Sequence, residues 1–138
     1  MFKVLVVGTS KRKNIKTIYS IASKLNNLTF IFVGNFDNYL GLQNLIIKPN
    51  VSEIDLENLY KTSNLLLFPS LTEGFGLPIL EAQFFGLPVI TSNKEPMKSV
   101  SSNNGAILVN PFIEDDIIAA IFEIKDNPTK AKELIDFG

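Results

Sequence analysis

Two carboxylates at a fixed spacing, Glu73 and Glu81, are the residues of this chain whose types and spacing could do recognisable chemistry. The seven residues between them include Gly74, Gly76 and Pro78, a composition typical of a turn that opens into a helix. Backbone amides at the start of such a helix attract phosphate, and carboxylates beside them can accept hydrogen bonds from sugar hydroxyls. Phosphate and polyol together indicate a nucleotide-sugar as the ligand.

A basic cluster lies earlier in the chain, where the first predicted strand ends at Gly8. Lys11, Arg12 and Lys13 follow this glycine and come just before the first helical pattern. At the carboxyl edge of a parallel sheet these cations would neutralise a diphosphate, and Arg would bind it through two hydrogen bonds. They would also stabilise the charge that builds on a departing nucleotide. The alternative is a solvated basic turn with no function.

Apolar runs and amphipathic segments alternate along the chain. Continuous apolar runs predict strands over residues 2–7, 28–33, 45–47, 65–68, 89–91 and 106–109. Helical spacing of apolar residues predicts helices over 14–25, 77–85, 115–125 and 129–135. Strands that are apolar throughout and alternate with helices favour a doubly wound, Rossmann-like α/β domain, with a parallel sheet of about six strands covered on both faces. Such sheets bind ligands at the carboxyl ends of their strands.

A further helix is predicted to begin at Ser52, which could cap it with Asp55 three residues on, as a variant of the capping box. We expect this helix to bury four residues: Ile54, Leu56, Leu59 and Tyr60. Later in the chain, Phe84 and Phe85 are assigned to the core rather than to a platform for a nucleobase. Gly86 is assigned to a helix C-cap that leads into a buried strand.

Length and composition limit the possible functions. A chain of 138 residues indicates one domain with a sizeable core. The formal net charge of -1 gives no electrostatic reason to expect nucleic acid as a partner. Since the chain has neither Cys nor His, a disulfide framework, a thiolate metal site and a histidine base are excluded. No apolar run approaches the roughly 20 residues that cross a bilayer, and no signal peptide is visible, so the default location is the cytoplasm.

The run Glu73-Gly74-Phe75-Gly76-Leu77-Pro78, with Glu81-Ala82 and the later Gly86-Leu87-Pro88-Val89-Ile90, resembles a known family. It is similar to the donor-binding, carboxyl-terminal half of the retaining glycosyltransferases called group 1, or family 4. The resemblance covers the chain from about Lys3 to about Phe137, and it implies one half of the GT-B fold, in which two Rossmann-like domains face a cleft. It predicts that residues 1–138 form a single nucleotide-sugar-binding domain, with the acceptor-binding amino-terminal domain absent. We therefore expect an excised domain or a fragment, with a self-contained small protein as the alternative.

The resemblance also implies roles for individual residues. Glu81 would bind the ribose hydroxyls, and Glu73 would lie near the donor sugar and the reacting centre. Arg12 and Lys13 would bind the diphosphate, so that the residues acting in catalysis would be Glu73, Lys13 and Arg12. The complete donor-binding set is Gly8, Thr9, Arg12, Lys13, Glu73, Gly74, Phe75, Gly76, Leu77 and Glu81.

The chain departs from the family pattern at three places. Thr9 stands where many members have Arg, and Lys48-Pro49 stands where members have a Leu-Gly pair, in the segment from Leu45 to Val51 that would hold the nucleobase. Ser99 occupies a place where many members carry Glu.

By resemblance, the enzyme would transfer a hexosyl group from a donor of UDP or GDP type to a glycan, lipid or other acceptor, with retention and without a metal or other cofactor. The acceptor, and any membrane, would contact the missing half, and the isolated domain would be inactive. Two other interpretations remain. One is a non-catalytic Rossmann-like binding or interaction module. The other is a flavodoxin-like receiver, which needs an acidic cluster after its first strand, where this chain has Lys11, Arg12 and Lys13.

Overall fold

The computed structural model describes residues 1–8, 13–35, 41–101 and 105–137 of the chain. The strands are β1 (Lys3–Val7), β2 (Thr29–Val33), β3 (Leu45–Lys48), β4 (Leu65–Phe68), β5 (Val89–Ser92) and β6 (Ile107–Val109). The helices are α1 (Ile15–Lys24), α2 (Glu53–Thr62), α3 (Leu77–Phe84), α4 (Met97–Val100), α5 (Glu114–Asp126) and α6 (Pro128–Phe137). All the predicted strands and helices are present, and their ends differ from the predicted ones by at most two residues.

All the strands pair in parallel in one sheet, in the order β3-β2-β1-β4-β5-β6. β1 is central and pairs with β2 on one side, where Val6 lies opposite Phe32, and with β4 on the other, where Leu5 lies opposite Leu66. The chain thus builds the sheet outward in both directions from β1. This arrangement confirms the predicted doubly wound, Rossmann-like fold, and its order reverses between β1 and β4.

The strands are apolar throughout because both faces of the sheet are covered. Val4 and Val6 point to the face covered by α1, α5 and α6, whereas Leu5 points to the opposite face. The first face holds a core cluster that includes Ile18 and Ile121. The second face is filled by α2, α3 and α4, whose buried residues are Tyr60, Ile79, Ala82 and Met97.

The predicted helix ends at Ser52 and Gly86 are confirmed. The Ser52 hydroxyl accepts a hydrogen bond from the Asp55 amide at 3.1 Å and caps α2. Gly86 has a φ of 71° and follows the end of α3, where its amide donates to the Gln83 carbonyl at 3.1 Å. The next amide, that of Leu87, donates to the Ala82 carbonyl at 2.9 Å, and the two bonds form a Schellman motif. This turn directs the chain into β5.

Two of the residues predicted to be buried are exposed. Ile54 is 70% exposed, because it lies two residues before Leu56 and so points away from the face of α2 that buries Tyr60. Phe84 is 83% exposed for the same reason, since the buried face of α3 carries Ala82 two residues earlier. Phe85 is half-buried and stacks on Tyr60 with 5.9 Å between ring centroids. The prediction that it belongs to the core is therefore closer to the structure than the same prediction for Phe84.

The short helix α4 was not predicted, because a single turn has no hydrophobic periodicity to detect. Glu95 holds its start: the carboxylate accepts hydrogen bonds from the Ser99 amide at 2.8 Å and from the Ser99 hydroxyl. These bonds lower the pKa of Glu95, and the charge of Lys98 adds to the effect. Ser99 is one of the departures from the family pattern, and its hydrogen bonds to Glu95 give it a structural role at the start of α4.

Within the described ranges no helix is long and apolar enough to span a membrane. The same part of the chain contains no group of three or more acidic, Cys or His residues that could hold a metal ion.

Candidate functional site

Two loops meet at the carboxyl edge of the sheet where its strand order reverses. One follows β1 and contains Gly8, Lys13 and Asn14, and the other runs from Pro69, after β4, to Gly76 at the start of α3. Because β1 and β4 are neighbours, the two loops leave the sheet side by side. In doubly wound sheets this reversal opens the crevice in which ligands bind.

An ion pair between Lys13 and Glu73 joins the two loops. The Lys13 Nζ lies 2.6 Å from the Glu73 Oε2, and the two side chains are only 14% and 6% exposed. The ammonium also lies 4.5 Å from the centroid of the Phe68 ring, within range of a cation–π interaction. At this distance the ammonium compensates the charge of the Glu73 oxygen, which has no further hydrogen-bond partner in the described part of the chain. A buried pair of this kind gains little net stability, since desolvation offsets the attraction.

Gly8 allows the Lys13 side chain to take this path. Its φ is 107°, a conformation that disfavours any residue with a Cβ, and its amide donates to the Val33 carbonyl at 3.1 Å. A Cβ added at Gly8 would lie 2.9 Å from the Lys13 Cε. The lysine therefore runs directly over the glycine backbone toward Glu73.

The start of the β4–α3 loop is held by side chains of neighbouring segments. The carbonyls of the four successive residues 68–71 each accept a hydrogen bond. The donors, in order, are Thr91 Oγ1 at 2.8 Å, Asn14 Nδ2 at 3.1 Å, Ser92 Oγ at 2.6 Å and Lys94 Nζ. No role for any of these donors was predicted from the sequence. Thr91 and Ser92 could have been noticed, because two hydroxyl residues at the end of an otherwise apolar strand are candidates for hydrogen bonds to a neighbouring loop. The bonds fix the loop that carries Glu73.

The rest of this loop, residues 74–77, combines exposed and buried positions. Phe75 and Leu77 are 58% and 57% exposed, whereas Gly76 is buried and has a φ of 87° as the N-cap of α3. No side chain caps this helix start among the described residues, and Pro78 brings no amide hydrogen to its first turn.

Glu81 lies on α3 and lines a cavity of about 390 Å³ between α2 and α3. The other lining residues are Glu53, Leu56, Glu57, Tyr60 and Phe85. Burial raises the pKa of Glu81, and the nearby Glu53 carboxylate raises it further. The Tyr60 hydroxyl is buried with no hydrogen-bond partner among the described residues, and burial, then Glu81, raise its pKa. The cavity thus offers a half-buried carboxylate that can accept hydrogen bonds from ligand hydroxyls.

A second cavity lies at the end of the predicted nucleobase segment. It measures about 500 Å³ and is lined by Ile47, Lys48, Pro49, Asn50, Val51, Asp55, Asn58 and Leu59. A larger cavity of about 760 Å³ involves Met1, Thr29 and Asn44 at the amino ends of the strands. We do not assign a ligand site to the larger cavity, because ligands of doubly wound sheets bind at the carboxyl ends of the strands.

The structure therefore brings together part of the predicted site. Gly8, Lys13 and Glu73 are in contact, and Gly74, Phe75, Gly76 and Leu77 continue the loop that carries Glu73. Glu81 lines its own cavity on the same helix that this loop starts. Thr9 and Arg12 lie outside the described residues.

Comparison with known proteins shows what this site is similar to. A family model described as "Glycosyl transferases group 1" matches residues 2–138. The O-antigen chain mannosyltransferase RfbU of Salmonella typhimurium is 33% identical over an alignment that covers 90% of this chain and 38% of that protein. The chain thus spans well under half the length of this curated relative.

Solved structures share the fold. Sucrose-phosphate synthase from Thermosynechococcus elongatus superposes with a TM-score of 0.87 at 24% identity, over 99% of this chain and 39% of that one. The C-terminal domain of a glycosyl transferase group 1 family protein (LpcC) from Francisella tularensis gives a TM-score of 0.78 at 17% identity, over 97% of this chain and 80% of that one.

The path of Lys13 over Gly8 leads to a prediction for two glycines. Gly8→Ala should lower the free energy of unfolding by about 1–3 kcal/mol, because it combines a strained φ with a clash against Lys13. Gly74→Ala is the matched control, since an added Cβ there meets nothing within 4 Å and its φ is outside the strained range. Urea unfolding of both variants checks this. Equal stability of the two would contradict the close packing of Lys13 on Gly8.

The raised pKa of Glu81 leads to a prediction about pH. Because folding favours the protonated form, the contribution of Glu81 to stability is complete below the unfolded pKa of about 4.3 and is lost as the pH rises through the folded pKa. Glu81→Gln should therefore stabilise the protein at pH 7, by at most about 0.5 kcal/mol because solvent screens the half-buried carboxylate, and the gain should vanish below pH ~4.

Glu114→Gln is the control of opposite sign. The hydrogen bond from Lys24, at 2.9 Å, is the largest cause that lowers the pKa of Glu114, and Ser20 adds to it. The stability from Glu114 is present above its unfolded pKa and is lost as the pH falls through the folded pKa. This variant should be less stable than the wild type at pH 7. Thermal unfolding between about pH 2.5 and pH 8 covers the titration of both carboxylates and tests both variants, and a destabilised Glu81→Gln at pH 7 would contradict the burial of that carboxylate.

Proposed function

Because the chain belongs to the glycosyl transferases group 1 family, we propose that residues 1–138 form the donor-binding half of a retaining, two-domain glycosyltransferase. The other half, which would bind the acceptor, would account for the remaining length of relatives such as RfbU. This chain alone would bind the nucleotide-sugar and transfer little or no sugar.

The observation that carries this proposal is the contact of Lys13 with Glu73 at the strand reversal. A cation and a carboxylate are both shielded from solvent there, and the loop that carries the carboxylate is anchored by side chains of two neighbouring segments, the turn after β1 and β5. An interaction module has no need of a buried charge pair at this edge, since the pair adds little to stability. A ligand with both an anionic group and hydroxyls would use both members.

The proposed chemistry follows from the charges. Lys13, with Arg12 beside it in the sequence, would bind the donor diphosphate and stabilise the negative charge that grows on it as the bond to the sugar breaks. Positive side chains would thus serve a transfer that uses no metal ion. Glu73 would accept hydrogen bonds from sugar hydroxyls near the reacting carbon, and Glu81 from the ribose hydroxyls.

The ion pair also implies an exchange of partners. In the free domain the Lys13 ammonium is neutralised by Glu73. A bound diphosphate would replace the carboxylate next to Lys13, and the released carboxylate would then be available to the donor sugar. Donor binding would therefore break one internal charge pair and form two contacts with the ligand.

The relatives suggest only the general class of donor and acceptor. RfbU is described as an O-antigen chain mannosyltransferase. We accordingly propose a hexosyl group carried by UDP or GDP, an acceptor that is a glycan, lipid or similar molecule in polysaccharide biosynthesis, and action in the cytoplasm. Any contact with a membrane would be made by the acceptor half.

Nucleotide binding tests the proposal. Isothermal calorimetry with UDP, GDP and ADP, each without metal, should show binding of one nucleotide. Glu81→Gln should weaken this binding by about tenfold or more, since a hydrogen bond to a charged group is worth about 1.5–3 kcal/mol. Glu123→Gln is the matched control, because Glu123 is exposed on α5, on the opposite face of the sheet, and should leave the affinity unchanged.

Two outcomes would count against the donor-site interpretation. One is binding of no nucleotide by the folded wild-type domain, which is what an interaction module would show. The other is an equal loss of affinity in both variants, which would mean that net charge and not the position of Glu81 matters.

The exchange of partners at Lys13 leads to an unusual prediction. Glu73→Gln should raise the affinity for the same nucleoside diphosphate by roughly three- to tenfold, because a coupling of about 0.5–3 kcal/mol with the competing carboxylate is removed. Asp115→Asn makes the same change in net charge at the exposed start of α5, which follows β6 and so lies at the same edge of the sheet, and it corrects for long-range attraction. An unchanged or lower affinity of Glu73→Gln relative to this control would contradict the exchange.

A further inference from the structure

The backbone conformation of Asn14 is unusual for a residue that is not glycine. Its φ of 66° is the one positive φ of a non-glycine residue in the described ranges. It lies between Lys13 and the first residue of α1, and it is only 8% exposed. Asn adopts this left-handed conformation more easily than most residues, yet glycine would adopt it with less strain. The backbone alone therefore does not explain why this residue is Asn.

The side-chain amide of Asn14 supplies the explanation. Its Nδ2 donates to the Pro69 carbonyl at 3.1 Å and to the Pro111 carbonyl at 2.7 Å. An amide nitrogen has two hydrogens, and both are used here in buried bonds. Pro69 directly follows β4, and Pro111 lies just beyond the end of β6. One side chain thus connects the turn after β1 with the ends of two other strands.

Asn14 approaches the β4–α3 loop from the side of Lys13. The other three donors to the carbonyls of residues 68–71 come from Thr91, Ser92 and Lys94, at and just after the end of β5. Those three bonds hold the loop against β5. The bond from Asn14 instead sets the separation between the residue that follows Lys13 and the loop that carries Glu73.

We propose that Asn14 is a positioning residue that holds the Lys13 ammonium at the Glu73 loop through its bond to Pro69, without contacting the ligand itself. This inference rests on the proposed function, because the position of Lys13 matters there for binding the diphosphate. Without the amide, the turn after β1 and the β4–α3 loop would be free to separate, and the contact between Lys13 and Glu73 would weaken.

A double-mutant cycle tests this without any ligand. Lys13→Met, Glu73→Gln and the double variant are unfolded in urea, in the wild-type background and in Asn14→Gly, which keeps the positive φ and removes the amide. In the wild-type background the two residues should be coupled by roughly tenfold in the unfolding equilibrium constant. In Asn14→Gly the coupling should fall to within about twofold of none.

Thr91→Val is the matched control, because it removes the bond to the neighbouring Phe68 carbonyl from the other side of the loop. This variant should lower stability and keep the roughly tenfold coupling. Asn14→Ser is the second variant in case Asn14→Gly does not fold: its single hydroxyl hydrogen cannot serve both carbonyls, so the coupling should again fall.

Three results would overturn the inference: full coupling in both Asn14 variants, an equal loss of coupling in Thr91→Val, or no coupling in the wild-type background. In the nucleotide titration, Asn14→Gly should lose about tenfold in affinity and Thr91→Val little. Because the cycle needs no nucleotide, a domain that binds none would refute the proposed function and leave the test of Asn14 intact.

Discussion

The pairing of β1 with β2 on one side and with β4 on the other is the constraint on which the rest of the structure depends. Parallel strands need crossover helices, and a chain that builds outward from a central strand must send its helices to opposite faces. The loops that follow β1 and β4 then emerge side by side and are not covered by either helix layer. The crevice that holds Lys13 and Glu73 is a consequence of this strand order.

The crevice is built at the expense of local stability. A buried charge pair with an oxygen that lacks a hydrogen-bond partner stabilises a fold less than apolar side chains of similar volume would. Gly8 and Asn14 add left-handed backbone on the β1 side. The fold offsets these features with rigid supports, namely the bonds from Asn14, Thr91 and Ser92 to consecutive carbonyls. Strain held in place by such supports is typical of a binding site.

Sequence reasoning identified the fold and the two loops, because those depend on local signals. The apolar strands, the cap at Ser52 and the glycine turn at Gly86 can be predicted without tertiary information, because each depends on a few residues that are close in sequence. Ile54 and Phe84 were misjudged because residue type was weighed above position on the helix. The contact of Lys13 with Glu73 and the bonds of Asn14 could not be deduced, since they depend on which strands become neighbours and on side-chain paths that only the folded sheet defines.

Buried oxygens without a further hydrogen-bond partner occur in both parts of the candidate site. Among the residues that the structure describes, four side chains have such an atom: Tyr60, Ser63, Ser70 and Glu73. Ser70 and Glu73 belong to the β4–α3 loop, and Tyr60 lines the cavity of Glu81. An unsatisfied buried hydroxyl costs about 1–3 kcal/mol, whereas the charge of the Glu73 oxygen is compensated by the Lys13 ammonium at 2.6 Å. Under the proposed function, a bound diphosphate would take the place of Glu73 beside Lys13, and sugar hydroxyls would then donate to the released carboxylate.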